Sequence, residues 1–216
     1  FRDSIARHPL VKERLRLLLL ANIKAEREGQ LVDRSLLRGT LSMLVDLGIE
    51  GTGVYEEDFE RAFLETTRAF YRAESQDVIS KNTCPVYMMK AEERLGQEQG
   101  RVVHYLDRST DGKLRGIVEE ELVKAHASTL VEMEGSGCKA MFRDDKVEDL
   151  KRMYGLFARV PATLDELRGA MSEYVKAAGR GLVMDQERAR DPVVFVRSLL
   201  EMRDKFDRIV QESFGG

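Results

Sequence analysis

The chain has 216 residues, of which 43% are apolar and 34% are charged, and its formal net charge is −3. These proportions are typical of an ordered protein with a sizeable core and exclude a disordered chain. Because acidic and basic residues are interleaved, we expect no basic surface large enough to bind nucleic acid.

Apolar residues recur at helical spacing along almost the whole chain. The first predicted helix carries two apolar stripes, one of Val11, Leu15 and Leu18 and the other of Leu10, Leu17 and Leu20. Two stripes predict a helix that is covered on more than one side. The second predicted helix has Asp33 as its N-cap and Gly48 at its end. Its buried positions are expected to be Leu37, Leu41 and Leu44.

A third helical pattern extends from Val54 to about Lys81. Its rows at helical and heptad spacing are Phe59, Phe63 and Phe70, and Leu64, Tyr71 and Val78. Thr83 and Pro85 predict the start of the next helix, since proline is tolerated in a first helical turn. The apolar positions that carry this helix to Asp107 are Tyr87, Ala91, Leu95, Val102 and Leu106.

Glycine and proline mark the elements of the second half. Asp111-Gly112 predicts a break in the chain, followed by a helix with apolar positions Leu114, Val118, Leu122 and Ala125. A further helix, expected to stop near Pro161, has apolar positions Val147, Leu150, Tyr154 and Phe157. Gly155 and Gly169 would each weaken a predicted helix unless close packing makes use of them.

Two helix starts close the chain. Thr163 and Glu166 have the spacing of a capping box, and Gly179 with Gly181 is expected to end the helix that follows. The buried face of that helix is expected to be Leu164, Leu167, Met171 and Tyr174. Asp191 followed by Pro192 predicts the last helix, whose stripe is Leu199, Met202, Phe206 and Ile209.

No segment shows sustained apolar and polar alternation rich in β-branched residues, so we expect no sheet. Short loops between long helices favour antiparallel neighbours. The sequence therefore predicts an all-α fold of antiparallel helical bundles.

The stretch from Gly135 to Cys138 reads Gly-Ser-Gly-Cys and is the first candidate for a catalytic loop. A nucleophile elbow and a phosphate-binding loop both follow a strand and have other spacings. We therefore expect a structural break, in which one helix ends on a left-handed glycine and another starts at Cys138. A reactive Cys138 thiol stays open as the alternative, because a helix start lowers a thiol pKa.

The remaining chemistry-bearing residues form no site in the sequence. His8, His104 and His126 fit no metal-ligand spacing, and a packed or partly exposed histidine is the interpretation for the last two. The acidic runs Glu56-Glu57-Asp58 and Glu119-Glu120-Glu121 are interpreted as solvated faces near helix starts. The short basic cluster of Lys12, Arg14 and Arg16 is interrupted by Glu13. We predict no catalytic, cofactor-binding or metal-binding residues and no cofactor.

The cysteine count and the chain ends indicate the cellular setting. Cys84 and Cys138 are too few for a disulfide framework, which favours a reducing compartment. No signal peptide is visible, and the longest apolar run, Leu17 to Ala21, is too short to span a bilayer. The chain starts at Phe1 without an initiator methionine and closes on Gly215-Gly216, so we expect both ends to be cuts through a longer polypeptide.

Several long stretches resemble the N-terminal stalk of cullins: YEEDFERAFLETTRAFYRAES, EERLGQEQGRVVHYLDRST, VEEELVKAHASTLVEMEGSG, KVEDLKRMYGLFARVP and DPVVFVRSLLEMRDKFDRIVQESF. They occur in the family's order and cover nearly the whole chain. The stretch LVDRSLLRGTLSMLVDLGIEGTGVYEEDFE is most similar to the cullin-three type, which recruits BTB-domain adaptors.

The resemblance implies tandem cullin repeats, which are helical bundles stacked into an elongated rod. It places a second-repeat-like domain at residues 1–110 and a third-repeat-like domain at 111–216, with the Gly135 turn in the latter. It implies a non-enzymatic scaffold of a multi-subunit cullin-RING E3 ubiquitin ligase, in which this part is a rigid spacer between the substrate-adaptor end and the RING end. The implied location is cytoplasmic and nuclear.

The partners implied by the family act mainly through regions that this sequence lacks. The BTB adaptor binds a first repeat, the RING subunit binds a C-terminal region, and a cullin exchange factor wraps the scaffold. Neither nucleic acid nor a membrane is expected as a partner. Two alternatives stay open: a helical-rod subunit of a vesicle-tethering complex of the exocyst type, and an enzyme with a cysteine or metal site.

Overall fold

The computed structural model describes residues 8–49, 51–185 and 190–214, and within these ranges the regular structure is helical, without strands. The prediction of an all-α fold is confirmed. The α-helices are α1 (Pro9–Arg27), α2 (Arg34–Asp46), α3 (Gly53–Tyr55), α4 (Arg61–Lys81), α5 (Cys84–His104), α6 (Asp111–Leu122), α7 (Ala127–Glu132), α8 (Cys138–Arg143), α9 (Val147–Ala158), α10 (Leu164–Met184) and α11 (Pro192–Phe214). No helix of the described ranges is both long and apolar enough to cross a membrane.

The described residues form two compact units. Unit 1 takes its residues from Phe1–Glu74 and Glu93–Val118, and unit 2 from Ser75–Glu92 and Glu119–Gly216. Both α4 and α5 therefore contribute to each unit. The expected boundary near Asp111 concerns sequence repeats, which a division by compactness does not test, so it stays a prediction.

Unit 1 has an aromatic core on α3, α4 and the turn between them. Phe59 lies against Tyr55 and Phe63, with ring centroids 5.5 and 5.3 Å apart, and all three side chains are fully buried. Glu56–Glu60 is a π-helical turn within this stretch. The sequence predicts the continuous helical path from Val54 but not the π-helical turn, which buries three consecutive side chains, two of them acidic.

The second helix follows its sequence prediction closely. The side chain of Asp33 accepts a hydrogen bond from the backbone N–H of Leu36 at 2.9 Å and caps α2. The buried residues of α2 are the predicted Leu37, Leu41 and Leu44. At its end, α2 stops at Asp46 and Gly48 directly follows the C-cap residue Leu47, as predicted. The left-handed φ of 61° is at Ile49, not at Gly48. Gly48 is needed for space, since a Cβ there would lie 1.9 Å from the carbonyl oxygen of Gly51.

Unit 2 is built around α7 to α11 and the start of α5. As predicted, α5 begins beside Thr83 with Pro85 in its first turn. Phe142 of α8 stacks on Tyr174 of α10 with centroids 5.6 Å apart, and Tyr174 meets Phe206 of α11 edge-on at 5.9 Å. Aromatic contacts therefore join three helices of this unit.

Several predicted helix ends are wrong. Asp111 and Gly112 form the first turn of α6 instead of a break, and Ala125 is exposed beyond its end. Helix α10 continues through Gly179 and Gly181 to Met184. Each internal glycine costs about 1 kcal/mol relative to alanine, which tertiary packing of a helix can offset.

The predicted capping box at the start of α10 is also wrong. The hydroxyl of Thr163 donates to the carbonyl oxygens of Val160 (2.9 Å) and Phe157 (3.2 Å), so it closes the preceding turn and does not cap α10. Glu166 is exposed. The predicted start of the last helix is confirmed, because Asp191 accepts from the backbone N–H groups of Val193 (2.9 Å) and Val194 (3.3 Å). Its predicted stripe is wrong at Leu199, which is exposed.

The first helix departs most from its prediction. Neither expected apolar stripe of α1 is the buried face, which consists of Leu19, Ile23 and Arg27. Among the predicted stripe residues, Leu15 and Leu20 are half-buried. The exposed ones are Leu10, Val11, Leu17 and Leu18. The buried face of α1 thus includes a charged side chain, Arg27, that neither predicted stripe contains.

Candidate functional site

The glycine-rich stretch near Cys138 is a turn between α7 and α8. Gly135 has a φ of +73°, the left-handed conformation that favours glycine. A Cβ on Gly137 would lie 2.7 Å from the carbonyl oxygens of Val131 and Met133. The hydroxyl of Ser136 accepts a hydrogen bond from the backbone N–H of Cys84 at 3.2 Å, at the start of α5. The interpretation as a structural break is confirmed.

Both cysteines are fully buried in unit 2 as free thiols. Burial raises the pKa of Cys84 to about 12, and the charges of Cys138 and Asp149 act in the same direction. Burial also raises the pKa of Cys138 to about 12, although Lys139 opposes this effect. Since the thiolate is the nucleophile, neither side chain is prepared for covalent chemistry at neutral pH.

The histidines occupy different environments. His8 and His104 are exposed, whereas His126 is half-buried between α6 and α7. Its Nε2 lies 2.9 Å from the hydroxyl of Ser75, and its ring meets Tyr87 edge-on at 5.6 Å. Burial lowers the pKa of His126, and the charge of Glu121 opposes that shift. In residues 8–49, 51–185 and 190–214, no group of three or more His, Cys, Asp or Glu is placed to hold a metal ion.

The described residues form two open grooves. One, of about 600 Å³, lies in unit 1 between α2 and the end of α5, with Arg38 and Val103 among its lining residues. The other, of about 390 Å³, lies in unit 2 between α9 and α11. His104 lines the first groove, but Cys84, Cys138 and His126 line neither, so these four residues do not meet in one cleft.

The interpretation of the acidic runs as solvated faces is wrong for part of each run. Asp58 and Glu121 are buried, and only Glu57 is exposed in the first run. The ammonium of Lys12 pairs with Asp58 at 2.5 Å, which also places the first member of the basic cluster in an ion pair. Ion pairing offsets the cost of burying such a carboxylate, and helical periodicity cannot reveal the partner.

A buried ion cluster in unit 1 is the most developed polar site of the described residues. Its centre is Glu98 of α5, whose carboxylate is reached by three helices. Arg27 of α1 donates through Nε to Oε1 (2.8 Å) and through Nη2 to Oε2 (3.2 Å). Arg101 donates from Nη1 to Oε1 at 3.0 Å, and the hydroxyl of Tyr71 of α4 also donates to Oε1. We call this group, with Glu26, the α1 ion cluster.

Glu26 extends the α1 ion cluster toward the surface. Its Oε2 accepts from Arg101 Nε (2.9 Å) and from the hydroxyl of Tyr105 (2.7 Å), and its Oε1 accepts from Arg34 Nε (2.6 Å). Burial by itself would raise the pKa of Glu26, but the hydrogen bonds from Tyr105 and Arg34 and the charge of Arg101 outweigh it, so the pKa lies below its ordinary value. The carboxylate is therefore held ionised.

Aromatic rings enclose the guanidinium of Arg27. Its central carbon lies 5.3–5.4 Å from the ring centroids of Phe63, Phe70 and Tyr71, all on α4. Nη2 also donates to the hydroxyl of Thr67 at 2.8 Å. Cation–π attraction and hydrogen bonds together replace the water that a buried guanidinium loses.

A second buried group joins α6 to the π-helical turn. Glu60 accepts from the hydroxyl of Thr110 (2.8 Å) and from the ammonium of Lys113 (2.6 Å). The hydroxyl of Tyr55 lies 2.8 Å from that of Thr110. Burial raises the pKa of Tyr55 to about 12, so its phenol stays protonated. Each of these contacts fixes one helix against another and leaves no group directed at a ligand.

Sequence reasoning missed both buried groups. Arg27 and Glu98 are 71 residues apart in the chain, and each looks locally like a surface residue of an amphipathic helix. The available signal was a charged residue at helical spacing from apolar ones, since Arg27 follows Ile23 by one turn. Such spacing indicates a buried charge only when the residue of opposite charge that pairs with it is known.

The amino-acid sequence is similar to that of known proteins over the whole chain. The family described as Cullin, cullin alpha solenoid domain, matches residues 1–216. Cullin-3 of Dictyostelium discoideum is 44% identical over 213 residues, which cover 99% of this chain and 28% of that protein. Cullin-3A of Arabidopsis thaliana is 42% identical over 215 residues, covering 100% of this chain and 29% of that protein. Cullin-4A of Mus musculus is 36% identical over 214 residues, covering 99% and 27%. The resemblance to this family, and to its cullin-three type, is confirmed.

Proposed function

This chain belongs to the cullin family, and from that premise we propose that it is a non-catalytic scaffold segment of a multi-subunit cullin-RING E3 ubiquitin ligase. The observation that carries the proposal is the family match over residues 1–216. The chain spans less than a third of the length of the curated relatives it matches, 28% and 29% for the two cullin-3 proteins. The activity and partners of the whole ligase therefore enter only as parts of this proposal.

The proposed task of the segment is to act as a rigid spacer between the substrate-adaptor end and the RING end of the ligase. A spacer must resist bending, which requires close-packed helices and satisfied buried polar groups. In support, every buried side-chain nitrogen and oxygen of the described residues has a hydrogen-bond partner. The α1 ion cluster adds directional contacts among α1, α4 and α5, which oppose sliding of these helices.

The proposed partners of the parent protein are a BTB-domain substrate adaptor, a RING subunit and a cullin exchange factor, bound mainly outside these 216 residues. The proposed location is cytoplasmic and nuclear. The family match supports a scaffold over the alternatives of a vesicle-tethering subunit and an enzyme. Affinity capture of the full-length parent protein tests the partners. Recovery of a BTB adaptor together with a RING subunit supports the proposal, and recovery of membrane-tethering subunits without them contradicts it.

The spacer role needs its own experiment, since binding alone does not report distance. In the full-length parent protein, residues 1–216 are replaced by a flexible glycine–serine linker, which keeps the ends connected but not at a fixed separation. We expect adaptor and RING binding to persist while ubiquitin transfer to the adaptor-bound substrate falls steeply. The matched control replaces the same residues by the aligned segment of mouse cullin-4A and should retain transfer. Undiminished transfer with the linker would refute the spacer role.

A further inference from the structure

The Gly-Ser-Gly stretch at residues 135–137, the first candidate for a catalytic loop, lies beside the start of a helix that is distant in the chain. The hydroxyl of Ser136 accepts a hydrogen bond from the backbone N–H of Cys84, the first residue of α5, at 3.2 Å. The two residues are 52 positions apart, and both belong to unit 2. Ser136 thus attaches the turn between α7 and α8 to α5.

The backbone N–H of Cys84 depends on this hydroxyl. The first N–H groups of an α-helix have no partner within the helix, so water or a side chain has to supply one. Cys84 is 0% exposed, which keeps water from its N–H. The next residue, Pro85, has no N–H at all. A buried N–H without a partner is costly, so the hydroxyl of Ser136 stabilises the start of α5.

The glycines on both sides of Ser136 give the turn its shape. Gly135 has the left-handed φ of +73° that favours glycine. The N–H of Gly137 donates to the carbonyl oxygen of Met133 at 2.7 Å, and a Cβ on Gly137 would lie 2.7 Å from the same oxygen. A side chain at position 137 would therefore displace the turn. The order Gly-Ser-Gly follows from one hydroxyl held between two positions that favour glycine.

Both native thiols lie on the inner side of this turn. Cys138 follows Gly137 directly, and Cys84 carries the N–H that donates to Ser136. Both cysteines are 0% exposed, whereas Ser136 is half-buried and Gly135 is exposed. The charge of Cys138 also raises the pKa of Cys84, as expected of neighbouring thiols. The turn thus has its outer residues in water and its inner residues beside the buried thiols.

We propose that the turn at residues 135–137 is a latch over the two buried thiols, closed by the hydrogen bond from Cys84 to Ser136. When this hydrogen bond breaks, the turn moves away from α5, and both thiols become accessible without unfolding of the rest of unit 2. Proteins open locally in this way where few contacts hold a surface segment. The serine hydroxyl therefore keeps the latch closed and has no nucleophilic role. The inference concerns unit 2 alone and does not depend on the scaffold role.

Thiol labelling of the 216-residue chain tests the latch. Ser136→Ala removes the hydroxyl and leaves the N–H of Cys84 without its partner. We expect the rate at which a maleimide labels Cys84 and Cys138 in the folded protein to rise about tenfold, which corresponds to 1.4 kcal/mol. Ser136→Thr keeps the hydroxyl and should be labelled nearly as slowly as the wild type. The backgrounds Cys84→Ser and Cys138→Ser assign the measured rates to the two thiols.

The matched control removes a serine hydroxyl that is bonded elsewhere in unit 2. The hydroxyl of Ser80 donates to the carbonyl oxygen of Asp77 at 2.8 Å on an exposed part of α4. Ser80→Ala should leave the labelling rates of both thiols unchanged. A rise of less than about twofold in Ser136→Ala, or an equal rise in Ser80→Ala, overturns the proposal.

The dependence of labelling on urea separates opening of the latch from unfolding of the whole chain. Local opening exposes little surface, so the labelling rate of the wild type should change only weakly with urea below the unfolding transition. A steep dependence, with the slope of global unfolding, would mean that the thiols react only in the unfolded chain and overturns the latch. If Ser136→Ala does not fold, this measurement on the wild type decides by itself.

Discussion

The guanidinium of Arg27 and the carboxylate of Glu98 are joined by two hydrogen bonds, at 2.8 and 3.2 Å, although both side chains are almost completely buried. The pair connects α1 to α5 across 71 residues of sequence. Further hydrogen bonds surround the pair: Arg27 also donates to the hydroxyl of Thr67, and Glu98 also accepts from Tyr71 and Arg101. A buried pair of this kind ties stability to the presence of both partners.

Removing one partner of this pair should therefore be costly. We expect Glu98→Ala to lower the free energy of unfolding by about 3–5 kcal/mol, because it leaves the buried guanidinium of Arg27 without a carboxylate. Arg27→Ala should cost less, because Arg101 still pairs with Glu98. The double variant should lose less than the sum of the two, as coupled residues do. Urea denaturation of the four proteins measures the cycle. Arg168→Ala, in the exposed pair with Asp165, is the control and should change stability by less than about 1 kcal/mol. Strict additivity would contradict the coupling.

The two units offer a matched test of their cores. Phe63 of unit 1 and Phe157 of unit 2 are both fully buried. Phe63→Ala and Phe157→Ala should each destabilise the protein by about 3–5 kcal/mol, through lost burial and the cavity that remains. Thermal melts followed by circular dichroism would show this loss as a lower melting temperature. Leu31→Ala serves as the control, since Leu31 is fully exposed and should leave the melting temperature nearly unchanged. A melt without a shift in either Phe variant would show that its side chain is not in the core.

Replacing glycine by alanine should raise stability where the site has room for a Cβ and lower it where the backbone or the space requires glycine. A Cβ at Gly155 or Gly169 would meet no atom within 4 Å, so close packing does not use either glycine. We expect Gly155→Ala and Gly169→Ala each to stabilise the protein by about 0.5–1 kcal/mol. Gly135→Ala and Gly137→Ala should destabilise it, because of the φ of +73° and the 2.7 Å contacts. The midpoints of urea denaturation of the four variants measure these changes in stability. A loss of stability in Gly155→Ala or Gly169→Ala would contradict the prediction that these sites accommodate a Cβ.

Protonation of His126 should lower stability in mildly acidic solution. The pKa of folded His126 lies below its ordinary value of 6.5, since burial disfavours the imidazolium. As the pH falls below about 6.5, the unfolded chain binds a proton that the folded chain does not, so the free energy of unfolding decreases. The loss stops once the pH passes the folded-state pKa. Urea midpoints from pH 8 to pH 5, compared with those of His126→Gln, isolate this contribution. Identical slopes for both proteins would exclude it.

The two cysteines should not react with thiol reagents in the native state. With pKa values raised to about 12 by burial, Cys84 and Cys138 carry almost no thiolate at neutral pH. A thiol reagent at pH 7.5 should label neither until denaturant is added, and then label both. Rapid stoichiometric labelling of Cys138 in the folded protein would revive the cysteine-enzyme alternative. In a complementary measurement, Cys138→Ser in the full-length parent protein should leave the rate of ubiquitin transfer unchanged.

Much of the fold could be predicted from the sequence because local patterns report local structure. The capping residues Asp33 and Asp191, the apolar faces of α2 and α5, and the break at Gly135 all follow from the spacing of a few neighbouring residues. The continuation of α10 through Gly179 and Gly181 could not be predicted in this way. There the helix continues through both glycines, because an internal glycine costs only about 1 kcal/mol relative to alanine and does not by itself end a helix.

By itself, the sequence determined that this protein is helical, where most helices begin, and that it belongs to the cullin family. Only the tertiary structure decided which face of α1 is buried and which charged residues are paired within the core. The physical reason is that an apolar residue gains free energy in any apolar environment, so its spacing alone is informative. A buried charge is tolerated only beside its partner. For Arg27 that partner, Glu98, is brought into place by the fold.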